Sequence, residues 1–340
     1  MTQRKGSTRA SCLVTGGAGF IGAHVARALL DDGHSVVVLD DLSGGFRDNV
    51  DQRARFVEGS ICDESFVQEL FASEHFDRVY HLAAYAAEGL SHFIKRFNYE
   101  NNLIGSIHLI NAAVNHDVDC FVFTSSIAVY GQGQVPLTED TRPEPEDSYG
   151  IAKYAVEQEL KATHDMFGMD FVVFRPHNVF GELQNIGDRY RNVVGIFINQ
   201  IMQDRPLSVF GDGEQTRAFT YIDGVAPLIA RAPDVRGARN QVFNVGADVP
   251  YTILELADAI RRHMGVPDHP LLHHEERQEV KHAWSDHSRI REVFGEMRGS
   301  DLETGLQRMV EWARQVGARE SRVFSEIEIR RNLPASWLEE

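Results

Sequence analysis

The 340-residue chain carries 34 Lys+Arg against 50 Asp+Glu, a formal net charge of −16, with 43% apolar and 25% charged residues. This is the composition of a water-soluble globular protein large enough for one big domain or two interlocked ones. An acidic chain without a basic stripe does not suit nucleic acid, and no apolar run approaches the roughly 20 residues that span a bilayer.

From the N-terminus, Met1 to Arg9 is polar and basic, and the apolar stretch after it is too short and glycine-rich for a signal-peptide core. Ser11 to Thr15 reads as a buried strand, Gly22 to Leu30 has helical spacing, and Val36 to Leu39 is a second strand. Between them lies Thr15-Gly16-Gly17-Ala18-Gly19-Phe20-Ile21-Gly22. Glycines at 16, 19 and 22 suit a tight turn, close approach of backbone to a pyrophosphate, and close helix–strand packing. The helix start adds N–H groups and a partial positive charge. The second strand runs into Asp40, 18 residues after Gly22. A carboxylate there accepts ribose hydroxyls and repels a 2′-phosphate, which favours NAD over NADP; Asp41 is the alternative ribose ligand.

Further strands are expected at Arg78–Leu82, Cys120–Thr124 and Phe171–Phe174, with helices near 64–73, 98–116 and 148–167. Near-continuous apolar strands separated by helices predict an α/β fold, a Rossmann-like doubly wound parallel sheet. The expected NAD-binding domain is 10–176, with later segments returning to it. From His177 the texture changes to shorter elements, with amphipathic helices near 252–264 and 301–316. Residues 177–340 read as a smaller α/β substrate-binding domain, with the ligand crevice between the two. Glu320 to Glu340 has no legible pattern.

Cys12, Cys62 and Cys120 are far apart and form no CxxC pair, which points to buried thiols in a cytosolic protein and to no disulfide framework. His273-His274-Glu275-Glu276 is the densest ligand-type cluster, but neighbouring residues rarely converge on one ion. No metal site is expected. Tyr149-Gly150-Ile151-Ala152-Lys153 sets Tyr and Lys on one helix face at i and i+4. A nearby ammonium favours the phenolate, so Tyr149 is a candidate base for an alcohol. Thr124-Ser125-Ser126, at a strand end on the carboxyl edge of the sheet, would face the same ligand.

With the glycine turn and this YxxxK pair, the chain resembles the extended short-chain dehydrogenase/reductases, and among them the NAD-dependent nucleotide-sugar 4-epimerases. The likeness runs from Cys12 to about Arg314. It includes His81-Leu82-Ala83-Ala84, Ser125 to Gly131, Arg175-Pro176-His177-Asn178-Val179-Phe180-Gly181 and Gly211 to Arg217. The resemblance implies Tyr149 as base, Lys153 on the nicotinamide ribose and Ser126 on the sugar O4. It sets Gly16, Gly19, Phe20, Ile21, Asp40, Ser60, Ile61, Leu82, Ala83, Ala84, Asn101 and Pro176 around the cofactor. Asn178, Arg217 and Arg277 would grip a UDP-sugar diphosphate, and Leu207, Val209 and Phe210 would hold the base. It also implies a cytoplasmic homodimer joined through the helices near 98–116 and 148–167.

Ile127 and Ala128 stand where dehydratases and decarboxylases of this kind carry proton-transferring acids. That favours epimerisation, with a neutral hexose first because Glu88 would repel a sugar carboxylate. UDP-glucuronate is the alternative, through Arg189 or Arg191. An NAD(H)-binding sensor or scaffold without turnover is the non-enzyme reading. His177 is expected to pack rather than to touch substrate.

Overall fold

The computed structural model describes residues 9–276, 280–296, 298–320, 324–334 and 337. Seven parallel strands form the central sheet: β1 (Ser11–Thr15), β2 (Ser35–Asp40), β3 (Arg55–Glu58), β4 (Arg78–His81), β5 (Cys120–Thr124), β6 (Asp170–Pro176) and, after four short strands, β11 (Gln241–Val245). Their spatial order is β11-β6-β5-β4-β1-β2-β3. The order reverses between β1 and β4, so the loops after these two strands diverge and leave a crevice at their carboxyl ends. Strands such as Cys120–Thr124 are buried at every residue, because helices cover both faces and leave no solvated side for polar residues.

The helix Phe20–Asp31 starts directly on the glycine turn, with Gly19 as N-cap and no side chain capping it. The helix Ser148–Phe167 is fixed at both ends. The Asp147 carboxylate accepts the Gly150 N–H at 2.8 Å, and Gly168 closes it in the left-handed region at φ 80°. One long helical run, 95–115, passes through a π-helical turn at Glu100–Ile104. That turn brings Asn102 to Tyr85 in the loop after β4 and sets Asn101 beside Cys62.

The short strands β7 (Val179–Phe180), β8 (Leu207–Phe210), β9 (Thr216–Ala218), β10 (Thr220–Tyr221), β12 (Pro250–Thr252), β13 (Leu271–His274) and β14 (His282–Ala283) form three small sheets. They are β10-β7, β12-β9-β14 and β13-β8. The two halves of the chain are not separate bodies. One apolar cluster runs from Val14 and Val38 through Phe174 and Phe243 to Ile229, Leu306 and Met309. β11, from the second half, pairs with β6 as an edge strand of the main sheet.

Candidate active site

A cavity of about 1780 Å³ opens along the carboxyl edge of the sheet and continues between the small sheets and the helices at 88–97. That exceeds an ordinary small-molecule pocket and leaves room for two large ligands side by side.

At one end the glycine turn forms a cradle with no space for side chains. A Cβ on Gly16, whose φ is +69°, would lie 2.6 Å from Ala83 N, and one on Gly22 would strike Gly16 O. Asp40 closes the turn from the side, accepting the Ala18 N–H at 3.0 Å and the Leu42 N–H at 2.8 Å. Burial raises its pKa above the usual carboxylate range. An uncapped helix start, a turn without Cβ atoms and a buried acid at the end of β2 fit a dinucleotide pyrophosphate and its ribose.

Gly16, Gly19, Phe20, Ile21, Asp40 and Asp41 line this end. Ile61, Leu82, Ala83, Ala84, Asn101 and Pro176 continue the wall. Ser60 does not line it; its hydroxyl accepts the Cys62 N–H at 3.3 Å, within its own turn.

In the middle of the cavity the helix at 148–167 presents Tyr149 and Lys153 beside Ser126, all three lining it. Ser126 sits beside Tyr149 and favours the ionised form of its phenol. The Lys153 ammonium donates to Thr124 O at 2.8 Å, lies 4.7 Å over the Phe123 ring, and sits 5.7 Å from the Tyr149 ring centre.

The expectation that Lys153 lowers the phenol pKa is corrected. Burial is the largest influence on Tyr149 and raises its pKa. Glu88 and Asp147 push the same way, while Ser126 and Arg191 oppose them. Burial also brings Lys153 down to about 7, because a desolvated ammonium is penalised. Glu157 opposes that shift from one turn further on. Its carboxylate is held by Arg175 Nε at 2.9 Å and by the Ser125 hydroxyl.

Toward the other end, Asn178, Phe210 and Arg217 line the cavity. The Arg217 guanidinium donates to the carbonyls of Thr216, Val280 and Lys281. Leu207 and Val209 are fully buried in the core, and strand alternation turns Ser208 and Phe210 to the cavity instead. The side chains expected to flank a base are therefore those at 208 and 210, with 207 and 209 offering backbone only. Arg277 lies outside the described residues. Among the described residues no group of His, Cys, Asp or Glu is arranged to hold a metal ion, and no helix is long and apolar enough to cross a membrane.

Several lining groups were not singled out as site residues in the sequence. His177 is 3% exposed, with Nδ1 donating to Ala218 O at 3.0 Å and Nε2 3.1 Å from His287 Nε2. His287 Nδ1 in turn reaches Asp248 at 2.7 Å. Described residues of the patternless C-terminal stretch, among them Ile329, Leu333 and Trp337, line the cavity. The Glu328 carboxylate accepts the Arg96 and Phe97 N–H groups, both at 2.9 Å, and Trp337 packs edge-on against Phe93 and Tyr190. Nothing local in the sequence signals these contacts.

A doubly wound sheet with a glycine cradle, an acid at the end of β2 and a Ser-Tyr-Lys set on the sheet's carboxyl edge defines an NAD-binding α/β enzyme of the extended short-chain dehydrogenase/reductase type. Residues 12–246 match the NAD dependent epimerase/dehydratase family. The chain is 34% identical over 309 residues to the UDP-glucose 4-epimerase of Mycolicibacterium smegmatis, covering 89% of this chain and 98% of that protein. A crystal structure of UDP-glucose 4-epimerase with UDP-glucose from Thermotoga maritima superposes with a TM-score of 0.86 at 32% identity, covering 90% of this chain and 99% of that one. The UDP-glucuronic acid 4-epimerase of Bacillus cereus, solved with UDP-glucuronic acid and NAD, gives a TM-score of 0.81 at 27% identity over 90% of this chain and 99% of that one. The chain belongs to the NAD dependent epimerase/dehydratase family, and its cofactor is NAD.

Proposed function

We propose that this protein is a UDP-hexose 4-epimerase that interconverts UDP-glucose and UDP-galactose through a 4-keto sugar. The observation that carries the reading is the Ser126-Tyr149-Lys153 set next to apolar Ile127 and Ala128, with Glu88 close enough to Tyr149 to act on its charge. Ser126 would hold the sugar O4 by a hydrogen bond, and Tyr149 would take the O4 proton in its phenolate form, which the positive charge of bound NAD would favour against burial. Bound NAD supplies a hydride acceptor at sugar C4 that later gives the hydride back, so the reaction has no net redox change. The buried phenol, with its raised pKa, would keep the proton beside the ketone oxygen and return it to O4 once the sugar has turned. Lys153, fixed by Thr124 O, would hold the nicotinamide ribose. Ile127 and Ala128 offer no group to move a C5 proton, which argues against dehydration and decarboxylation.

The Glu88 carboxylate disfavours an anionic sugar at the same place, although Arg189 and Arg191 also line the cavity. Two copies would pair through the helices at 95–115 and 148–167, where Ile104 and Ile151 remain 47% and 42% exposed.

The test is product analysis by NMR with UDP-glucose, UDP-galactose and UDP-glucuronate. The hexoses should interconvert without added reductant, with UDP-glucuronate roughly 10- to 150-fold poorer in kcat/KM. A strong preference for the uronate would overturn the hexose reading.

A further inference from the structure

Arg191 belongs to the second half of the chain, yet it touches two loops of the cofactor sheet at once. Its guanidinium carbon lies 4.7 Å over the ring of Tyr85, in the loop after β4. On its other side, a Cβ added to Gly44, in the loop after β2, would lie 2.9 Å from Arg191 Nη2. Strand β1 runs between β2 and β4, and its loop is the glycine turn. A group that meets the loops on both flanks therefore bridges the two sides of the turn.

Both anchor points are firm. The loop after β2 is pinned onto the turn, with Phe46 N–H donating to Ala18 O at 3.0 Å and Gly45 packed against Ala18 and Gly19. Tyr85 is held by Asn102, which accepts its N–H at 2.8 Å and donates to its carbonyl at 3.1 Å. Arg191 itself is oriented by Asp188, 2.9 Å from its Nε. The result is a guanidinium, a forked donor suited to phosphate oxygens, held between the two loops that flank the glycine turn and lining the same cavity.

We propose that Arg191 is a clasp on the dinucleotide pyrophosphate, so that the cofactor leaves only when the segment bearing Asp188 and Arg191 swings away. This assigns to the cofactor an arginine that sequence reasoning offered to a sugar carboxylate. It rests on the NAD site and not on which sugar is turned over.

The test uses holoenzyme and reads the dinucleotide directly. Wild type, Arg191→Met, Arg191→Lys and Asp188→Asn are purified, and loss of bound NAD on dilution is followed by chromatography, alongside UDP affinity by calorimetry and thermal melting as a fold check. Arg191→Met should shed NAD about 10- to 100-fold faster, the range for a lost charge-assisted contact, with UDP affinity changed less than about threefold. Arg191→Lys and Asp188→Asn should fall between, and they carry the test if the methionine variant does not fold. Wild-type NAD retention in the folded variants would overturn the proposal. So would unchanged retention together with weakened UDP or UDP-glucuronate binding, which would place Arg191 on the substrate.

Discussion

At the scale of single residues, the phenol of Tyr149 decides the chemistry. It is 7% exposed, set beside Ser126, and flanked by carboxylates that make its ionisation harder. Replacing it with phenylalanine removes the acid–base oxygen and keeps the ring. Tyr149→Phe should therefore lower kcat at least about 100-fold while UDP binding and the copurified NAD stay near wild type. Turnover measured by coupled assay, with NAD released by denaturation, checks both halves of the statement. If the phenylalanine variant turns over at the wild-type rate, Tyr149 is not the base.

Elements differ in how much of them the sequence shows. Ser11–Thr15, Cys120–Thr124, Glu64–Ser73 and Ser148–Phe167 stand where their patterns place them, because each carries its own periodicity and its own stop signal. Arg55–Glu58 was not legible. It is a four-residue edge strand with charged ends and only partly buried centres, so it lacks the apolar run that marks its neighbours. Among the site residues, the glycine turn and the Tyr-Lys pair are local in sequence and were readable. The His177–His287 contact joins residues 110 apart, and no spacing rule reaches that far.

The C-terminal strap is the clearest case of an element that only tertiary contact makes. Its described residues, 324–334 and 337, form no strand or long helix and are held by Glu328 capping the helix at Lys95–Tyr99 and by Trp337 against Phe93 and Tyr190. Ile329, Leu333 and Trp337 line the cavity mouth. Trp337→Ala removes the largest apolar anchor, a change of roughly 3–5 kcal/mol for a buried Trp. It should make Arg330 and Arg331 open to trypsin and raise the KM for the UDP-sugar several-fold, with NAD content unchanged. A variant as protease-resistant as wild type, with the same KM, would show that the strap does not shape the site.

For the whole molecule, the buried histidines tie folding to pH. His177 is depressed to about 3, chiefly by burial and secondly by His287, and His287 is lowered by its own burial. Asp248 and Ala218 O favour the protonated forms, Arg291 opposes His287, and burial outweighs them. Between about pH 3 and the ordinary histidine value near 6.5, the unfolded chain binds a proton at His177 that the folded chain does not. Stability is thus fully present above about 6.5 and falls as the pH drops, by roughly 2 kcal/mol for His177 at pH 5. Urea midpoints at pH 7.5 and pH 5 should show a smaller drop for His177→Gln than for wild type. Equal drops would assign the acid sensitivity to other groups.

The pairing of β11 with β6 has a consequence for how the protein is made. On the ribosome, β6 is complete at Pro176, but the strand that covers its outer edge ends at Val245. At about 5–20 residues per second, the intervening stretch takes roughly 3–14 s to synthesise. Throughout that interval a nascent sheet would present the bare N–H and C=O groups of a strand whose last six residues are all buried in the finished protein. Such an edge is a template for pairing with another chain. The burden on chaperones therefore falls in the middle of synthesis, and it ends only when the second half of the polypeptide has emerged far enough to add its strand to the first.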